Sequence, residues 1–142
     1  MTAPPILEIR DLTISFAGES GVHTVVEHVG FSLHESETLA VVGESGSGKT
    51  VTALAVLKLI PMPPGKIEGG AILYRNRNDE VTDLVSLDEH RMQHIRGRSI
   101  SMIFQEPMTS LNPVFTCGDQ VMESLRTHLS LSRNQAREKV LD

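Results

Sequence analysis

The sequence predicts an α/β fold in which an antiparallel β-region opens the chain, a buried strand runs through a glycine-rich loop into a helix, and a helical region follows. Three observations carry this. Apolar residues alternate from Ile6 to Phe16 and return between Val25 and Leu33. The apolar run Thr38-Leu39-Ala40-Val41-Val42 ends at Gly43 and passes through a glycine-rich stretch into a breaker-free segment starting at Lys49. From Gly118 onward, apolar residues recur at helical rather than strand spacing.

The bulk numbers agree with one ordinary globular domain. The chain has 142 residues, 39% hydrophobic and 22% charged, enough to build a core and too balanced for disorder. Thirteen basic against 18 acidic residues leave a net charge of -5, the wrong sign for general binding to nucleic acid or anionic lipid. One cysteine, Cys117, allows neither an internal disulfide nor a Cys-based zinc site and points to a reducing compartment. The first residues lack the basic and apolar regions of a signal peptide. The longest apolar stretch, Val51 to Ile60, contains Lys58 and is too short to cross a bilayer.

Taken in order, Ile6 to Phe16 reads as a strand with one buried face, the polar stretch Ala17 to Gly21 as a turn, and Val25 to Leu33 as the returning strand of a hairpin. The turn His34-Glu35-Ser36-Glu37 has no glycine and is expected to form without free access to positive φ, with a mild effect. Thr38 to Val42 has the continuous apolar character of a fully buried parallel strand. A helix is expected from Lys49 to Leu59, stopping before Pro61. Residues 61–70, with three prolines and three glycines, read as a connector, and Ala71 to Tyr74 as a resumed strand. Leu87 to Arg96 reads as a short helix, with Asp88 as N-cap and Gly97 as terminator. Ser99 to Phe104 reads as another buried strand. An amphipathic helix follows over Gly118 to His128, with Val121, Leu125 and Leu129 on one face, and Ser132-Arg133-Asn134-Gln135 forms a capping box for the last helix.

The chemistry is concentrated in Gly43-Glu44-Ser45-Gly46-Ser47-Gly48-Lys49-Thr50, which fits the phosphate-binding pattern G-x-x-x-x-G-K-[ST]. Glycines let the backbone wrap phosphate oxygens without a Cβ collision and turn successive N–H groups inward as an anion nest. Lys49 supplies a positive charge for the β- and γ-phosphates, and Thr50 offers a hydroxyl to Mg²⁺. The helix that follows, including Val51 in its first turn, aims its positive end at the anion. The expected ligands are therefore ATP and Mg²⁺.

A second motif, Ser101-Met102-Ile103-Phe104-Gln105-Glu106-Pro107-Met108-Thr109-Ser110-Leu111-Asn112-Pro113, taken with the phosphate loop, resembles ABC-transporter ATPases. More closely, it resembles the peptide, nickel and glutathione importer subfamily, over about Leu7 to Asp142. The resemblance implies that Gln105 reaches Mg²⁺ and the attacking water, that the segment after it meets the membrane subunits, and that Phe16 stacks on the adenine ring. Read alone, an aromatic at a strand end such as Phe16 is more often a core residue, and Gln105 is a polar residue closing a strand. The implied fold is a P-loop NTPase core of ABC type with an N-terminal antiparallel β-region (1–37), a nucleotide-binding core (38–113) and the start of a helical subdomain (114–142). The implied partners are permease subunits, a second ATP-binding subunit and, indirectly, a solute-binding protein, with no nucleic acid. The place is the cytoplasmic face of a membrane, reached through the permeases. Coupled to such a transporter, the function is ATP-powered import of dipeptides, oligopeptides, glutathione or a similar small solute.

Hydrolysis in that family also needs an apolar strand ending in Asp-Glu, a Leu-Ser-Gly-Gly-Gln signature and a late histidine, none of which the sequence contains. It therefore reads as a truncated, N-terminal part of a longer ATPase domain that binds ATP without turning it over. The nearest local match, Leu84-Val85-Ser86-Leu87-Asp88-Glu89, allows an alternative, a P-loop kinase or other NTPase holding metal through Asp88 and Glu89; a non-catalytic nucleotide-binding module is a third reading. Cys117 is expected to be a buried or half-buried small residue. The cluster His90, Arg91, His94, Arg96 and Arg98 is expected to be a solvated face.

Overall fold

A computed structural model describes residues 4–105 and 110–141. The elements are β1 (Leu7–Gly18), β2 (Gly21–Leu33), α1 (Lys49–Val56), β3 (Gly65–Arg75), β4 (Val81–Asp83), α2 (Glu89–Ile95), α3 (Cys117–Leu129) and α4 (Arg133–Leu141). They divide into two compact units, Met1–His94 and Ile95–Asp142.

In the first unit the strands form one antiparallel sheet in the order β2-β1-β3-β4. The expected hairpin is its outer half, with Gly18 opposite Gly21 at the turn. Strict alternation in β1 breaks at Arg10 and Asp11, where the register against both neighbours slips. Asp11 takes φ 51°, His28 opposite it φ 50°, and Gly70 on β3 φ 93°. The slip is a bulge that lets Ile9 and Leu12, three apart, both face the core with Ile14, Val26 and Ile72. Only glycine fits at position 70, because a Cβ there would lie 2.5 Å from the carbonyl oxygen of Asp11. The exposed Asp11 carboxylate meets His28 Nδ1 at 2.6 Å and, by that hydrogen bond and its charge, raises the imidazole pKa.

Several expectations are corrected. Residues 38–42 and 99–104 join no ladder among the described residues, apart from a single parallel bridge between Arg96 and Ile100. Val42 is 91% and Ile103 92% exposed. A buried parallel strand needs hydrogen-bonded neighbours and covering layers, and among the described residues neither segment has them. The connector is shorter than expected, because β3 begins at Gly65 and runs alongside β1 from Phe16 back to Leu7; β4 was not foreseen. The turn at 34–37, which has no glycine, places Ser36 at positive φ (60°) and is closed by His34 N donating to Glu37 Oε2 at 2.7 Å.

In the second unit, Thr116 caps α3 by accepting from Asp119 N at 3.1 Å, and Gln135 N donates to Ser132 Oγ at 3.4 Å while Ser132 N donates to Gln135 Oε1 at 3.0 Å, the expected capping box. Cys117 is exposed, not buried. It stands on the first turn of α3, which buries none of its residues. The apolar stripe of Val121, Leu125 and Leu129 therefore makes no core here. Among the described residues no helix is long and apolar enough to cross a membrane.

Candidate functional site

The glycine-rich loop ends where α1 begins, and Gly48 makes the junction. As N-cap it takes φ 85° and ψ -1°, a left-handed conformation that glycine reaches without steric cost. A Cβ there would sit 2.7 Å from the carbonyl oxygen of Val25 and 3.0 Å from Val26 Cγ2. The amino end of α1 is thus set directly against β2. Thr52 tightens the same turn, with its N at 2.8 Å and its Oγ1 at 3.0 Å both donating to Gly48 O. No side chain caps the helix, so its first N–H groups are left to face an anion.

Lys49 folds back over the loop. Its ammonium donates to Gly43 O at 2.8 Å, to Glu44 O, and to Ser47 Oγ at 3.1 Å. Gly46, at φ 82°, turns the loop tip where a Cβ would meet nothing within 4 Å. Val25 and residues 46–51 line a cavity of about 170 Å³. That is smaller than the roughly 300–1,000 Å³ of a drug-sized ligand site; it suits a phosphate chain, with the rest of a nucleotide lying outside it. The donor set is right for that cargo: an ammonium, backbone N–H groups, the hydroxyls of Ser47 and Thr50, and no carboxylate. Glu44 turns its carbonyl, not its charge, to Lys49.

The other candidates stand as follows. Thr50 is exposed on the cavity wall, as a metal-directed hydroxyl must be. Phe16 is half-buried on β1, paired with His23 and Gly65. Its ring edge covers Gly65, where a Cβ would come within 3.0 Å of Cε1. Gln105 is an exposed bend residue of the second unit; the residues that follow it in the second motif, 106–109, lie outside the described ones. Asp88 is committed elsewhere: its Oδ1 accepts from Arg91 N at 2.8 Å, the cap of α2. Within the basic cluster, His94 Nδ1 lies 2.8 Å from His90 O and the two rings are 4.9 Å apart, bonding along the helix. Among the described residues no group of three or more His, Cys, Asp or Glu is placed to hold a metal. A larger cleft, about 680 Å³, lies in the second unit between Phe115, Asp119, Met122, Glu123, Arg126, Thr127 and Arg133; its mixed charges make no anion nest.

Sequence reasoning missed Val25 and Thr52. Val25 carries no motif, and only the close approach of Gly48 reveals it. Thr52 had a signal: a hydroxyl four residues after the cap reaches the cap carbonyl in the first helical turn.

A strongly bent glycine loop, a lysine folded across it and a helix leaving it uncapped define a P-loop nucleotide-binding domain. The chain belongs to the ABC transporter family, whose model matches residues 26–142. It is 47% identical over 137 residues to an oligopeptide transport ATP-binding protein of Bacillus subtilis, covering 96% of this chain and 37% of that one. It is 44% identical over 142 residues to a putative peptide import ATP-binding protein of Brucella ovis, covering 42% of its length. A glutathione import ATP-binding protein of Escherichia coli K12 is 45% identical over 136 residues, with 22% of its length covered. The chain thus spans well under half of these curated relatives. In fold it resembles a dimeric bacterial ABC transporter cassette, with a TM-score of 0.76 at 21% identity over 95% of this chain and 54% of the cassette. The same cassette in a post-hydrolysis state, described as bound to ADP and Pi, matches with a TM-score of 0.75. The fold is accordingly an α/β ABC-type P-loop fold.

Proposed function

We propose that the chain is the nucleotide-binding part of the ATP-binding subunit of an importer for peptides, glutathione or a similar small solute. The observation that carries this is the Lys49 ammonium, held over the loop by the carbonyls of Gly43 and Glu44 while the uncapped end of α1 opens on the same cavity. A triphosphate chain is the ligand that uses both at once, since it neutralises the ammonium and accepts from the helix N–H groups.

In this reading Gly43 to Val51 hold the phosphates of ATP, and Thr50 with Gln105 holds Mg²⁺. The metal, when bound, neutralises phosphate charge and supplies electrostatic stabilisation for phosphoryl transfer. Phe16 supports the base. A second ATP-binding subunit and the permease subunits complete the assembly. The helical region 114–142 faces the permeases, which hold the protein at the cytoplasmic face of the membrane, and a solute-binding protein feeds them. The names of the similar proteins support the solute class.

Asp88, the acidic residue best matched to a metal-holding strand end, is a helix cap. The 142-residue chain is therefore expected to bind MgATP without steady turnover. Isothermal titration of the chain with MgATP should give saturable binding that Lys49→Ala abolishes. Equal binding by the two proteins, or steady ATP hydrolysis lost in Lys49→Ala, would overturn the proposal.

A further inference from the structure

An ammonium has three N–H donors, and in Lys49 all three are spent inside the loop, on Gly43 O, Glu44 O and Ser47 Oγ. The two carbonyls belong to the backbone that forms the loop. The hydroxyl belongs to a single rotatable side chain, and its 3.1 Å contact with Lys49 is the longest of the three. A phosphate oxygen that reaches the ammonium has to replace one of these partners, and Ser47 is the one that can swing away without moving backbone.

Gly43 bears on the same contact from the other side. A Cβ built on it would lie 2.8 Å from Ser47 Oγ but at ordinary distances from everything else, 3.6 Å from Ser47 Cβ and 3.8 Å from Lys49 Cδ. Gly43 is not among the residues with positive φ, so its backbone does not require glycine. What the missing Cβ leaves room for is the rotamer in which Ser47 binds Lys49. Gly46 and Gly48, both at positive φ, differ in this respect.

We infer that Gly43 and Ser47 form a latch on Lys49: the Ser47 hydroxyl competes with a phosphate oxygen for the third N–H of the ammonium, and the absence of a side chain at Gly43 keeps that competitor in place. The inference rests on the nucleotide reading above and deepens it. It reverses the part given above to the Ser47 hydroxyl as one of the donors to the ligand.

The two roles predict opposite signs. If the hydroxyl competes, Ser47→Ala frees one N–H and binds MgATP more tightly, by about fivefold for one hydrogen bond. Gly43→Ala displaces the same hydroxyl and gives a similar gain. Because both substitutions break one contact, the double variant Gly43→Ala/Ser47→Ala binds no more tightly than either single one, a non-additivity that independent structural effects do not produce. The test is isothermal titration of the full chain and the three variants with MgATP, each checked for folding by its thermal melt. Weaker or unchanged binding in Ser47→Ala overturns the latch, and so do gains that multiply to about 25-fold in the double variant. If the parent chain itself does not bind MgATP, the nucleotide reading fails and the latch with it.

Discussion

Replacing Gly48 or Gly46 with alanine separates two reasons why a phosphate loop needs glycine. Both residues have left-handed backbones, φ 85° and 82°, so each alanine incurs about 1–2 kcal/mol of backbone strain. Their surroundings differ. At Gly46 the new Cβ meets nothing within 4 Å, whereas at Gly48 it meets Val25 O at 2.7 Å and Val26 Cγ2 at 3.0 Å. The first of these is backbone of a paired strand and cannot step aside, so an overpacking cost of about 1–3 kcal/mol adds at Gly48. Reduced freedom of the unfolded chain offsets both by a similar amount, about 0.4–1 kcal/mol. The expected losses are then about 1 kcal/mol for Gly46→Ala and about 3 kcal/mol for Gly48→Ala, or a fall in Tm of about 4 °C against about 10 °C for a chain of this size. Urea denaturation followed by far-ultraviolet circular dichroism measures the difference directly. Equal losses, or a larger loss at Gly46, would refute the claim that the loop is packed against β2 through Gly48.

Three further outcomes follow from named contacts. Asp88→Ala should cost about 1 kcal/mol, the value of an N-cap, and leave MgATP binding intact; loss of Mg²⁺-dependent binding would favour the alternative in which Asp88 and Glu89 hold metal. His28 has its pKa raised by the Asp11 carboxylate, through their hydrogen bond first and its charge second. That contribution is complete below the unfolded-state value of about 6.5 and is lost as pH rises through the folded-state pKa, so His28→Gln should flatten the stability profile above about pH 6.5. An unchanged slope in urea melts across that range would sink this reading. Ser36→Gly should stabilise the chain by about 1 kcal/mol by relieving the left-handed serine at φ 60°; a lower urea midpoint would show that the Glu37-closed turn tolerates Ser36 without strain.

What was legible in the sequence was what neighbouring residues decide among themselves. The hairpin followed from alternation and a glycine turn, the caps at Asp88 and Ser132 from side chains that bond within three residues, and the phosphate loop from its spacing. What was not legible depended on partners distant in sequence. The bulge at Asp11 is forced by Gly70 and His28, 59 and 17 residues away. Residues 38–42 and 99–104 carry the apolar runs of buried strands, yet apolarity measures what a segment prefers to be covered by, not whether a neighbour is there to pair with it. Cys117 failed for a similar reason: small apolar thiols favour interiors, but the helix it opens buries none of its residues.

The helix that carries the candidate site shows both kinds of information acting on one element. Its start and stop are local, fixed by Gly48 at one end and at the other by Lys58, which takes φ 50° while Lys58 N and Leu59 N return to Ala55 O and Leu54 O at 3.0 and 2.9 Å. Its position is not local. At the amino end the carbonyl of Val25 leaves no room behind Gly48; at the carboxyl end the Lys58 ammonium donates to Val85 O at 3.1 Å and Leu87 O at 2.6 Å. A helix held at both ends by backbone carbonyls of other segments cannot slide along its axis without breaking hydrogen bonds at one end or colliding at the other. That fixed axis gives the loop its value as a receptor: N–H groups aimed at an anion contribute most when they do not have to reorganise to meet it.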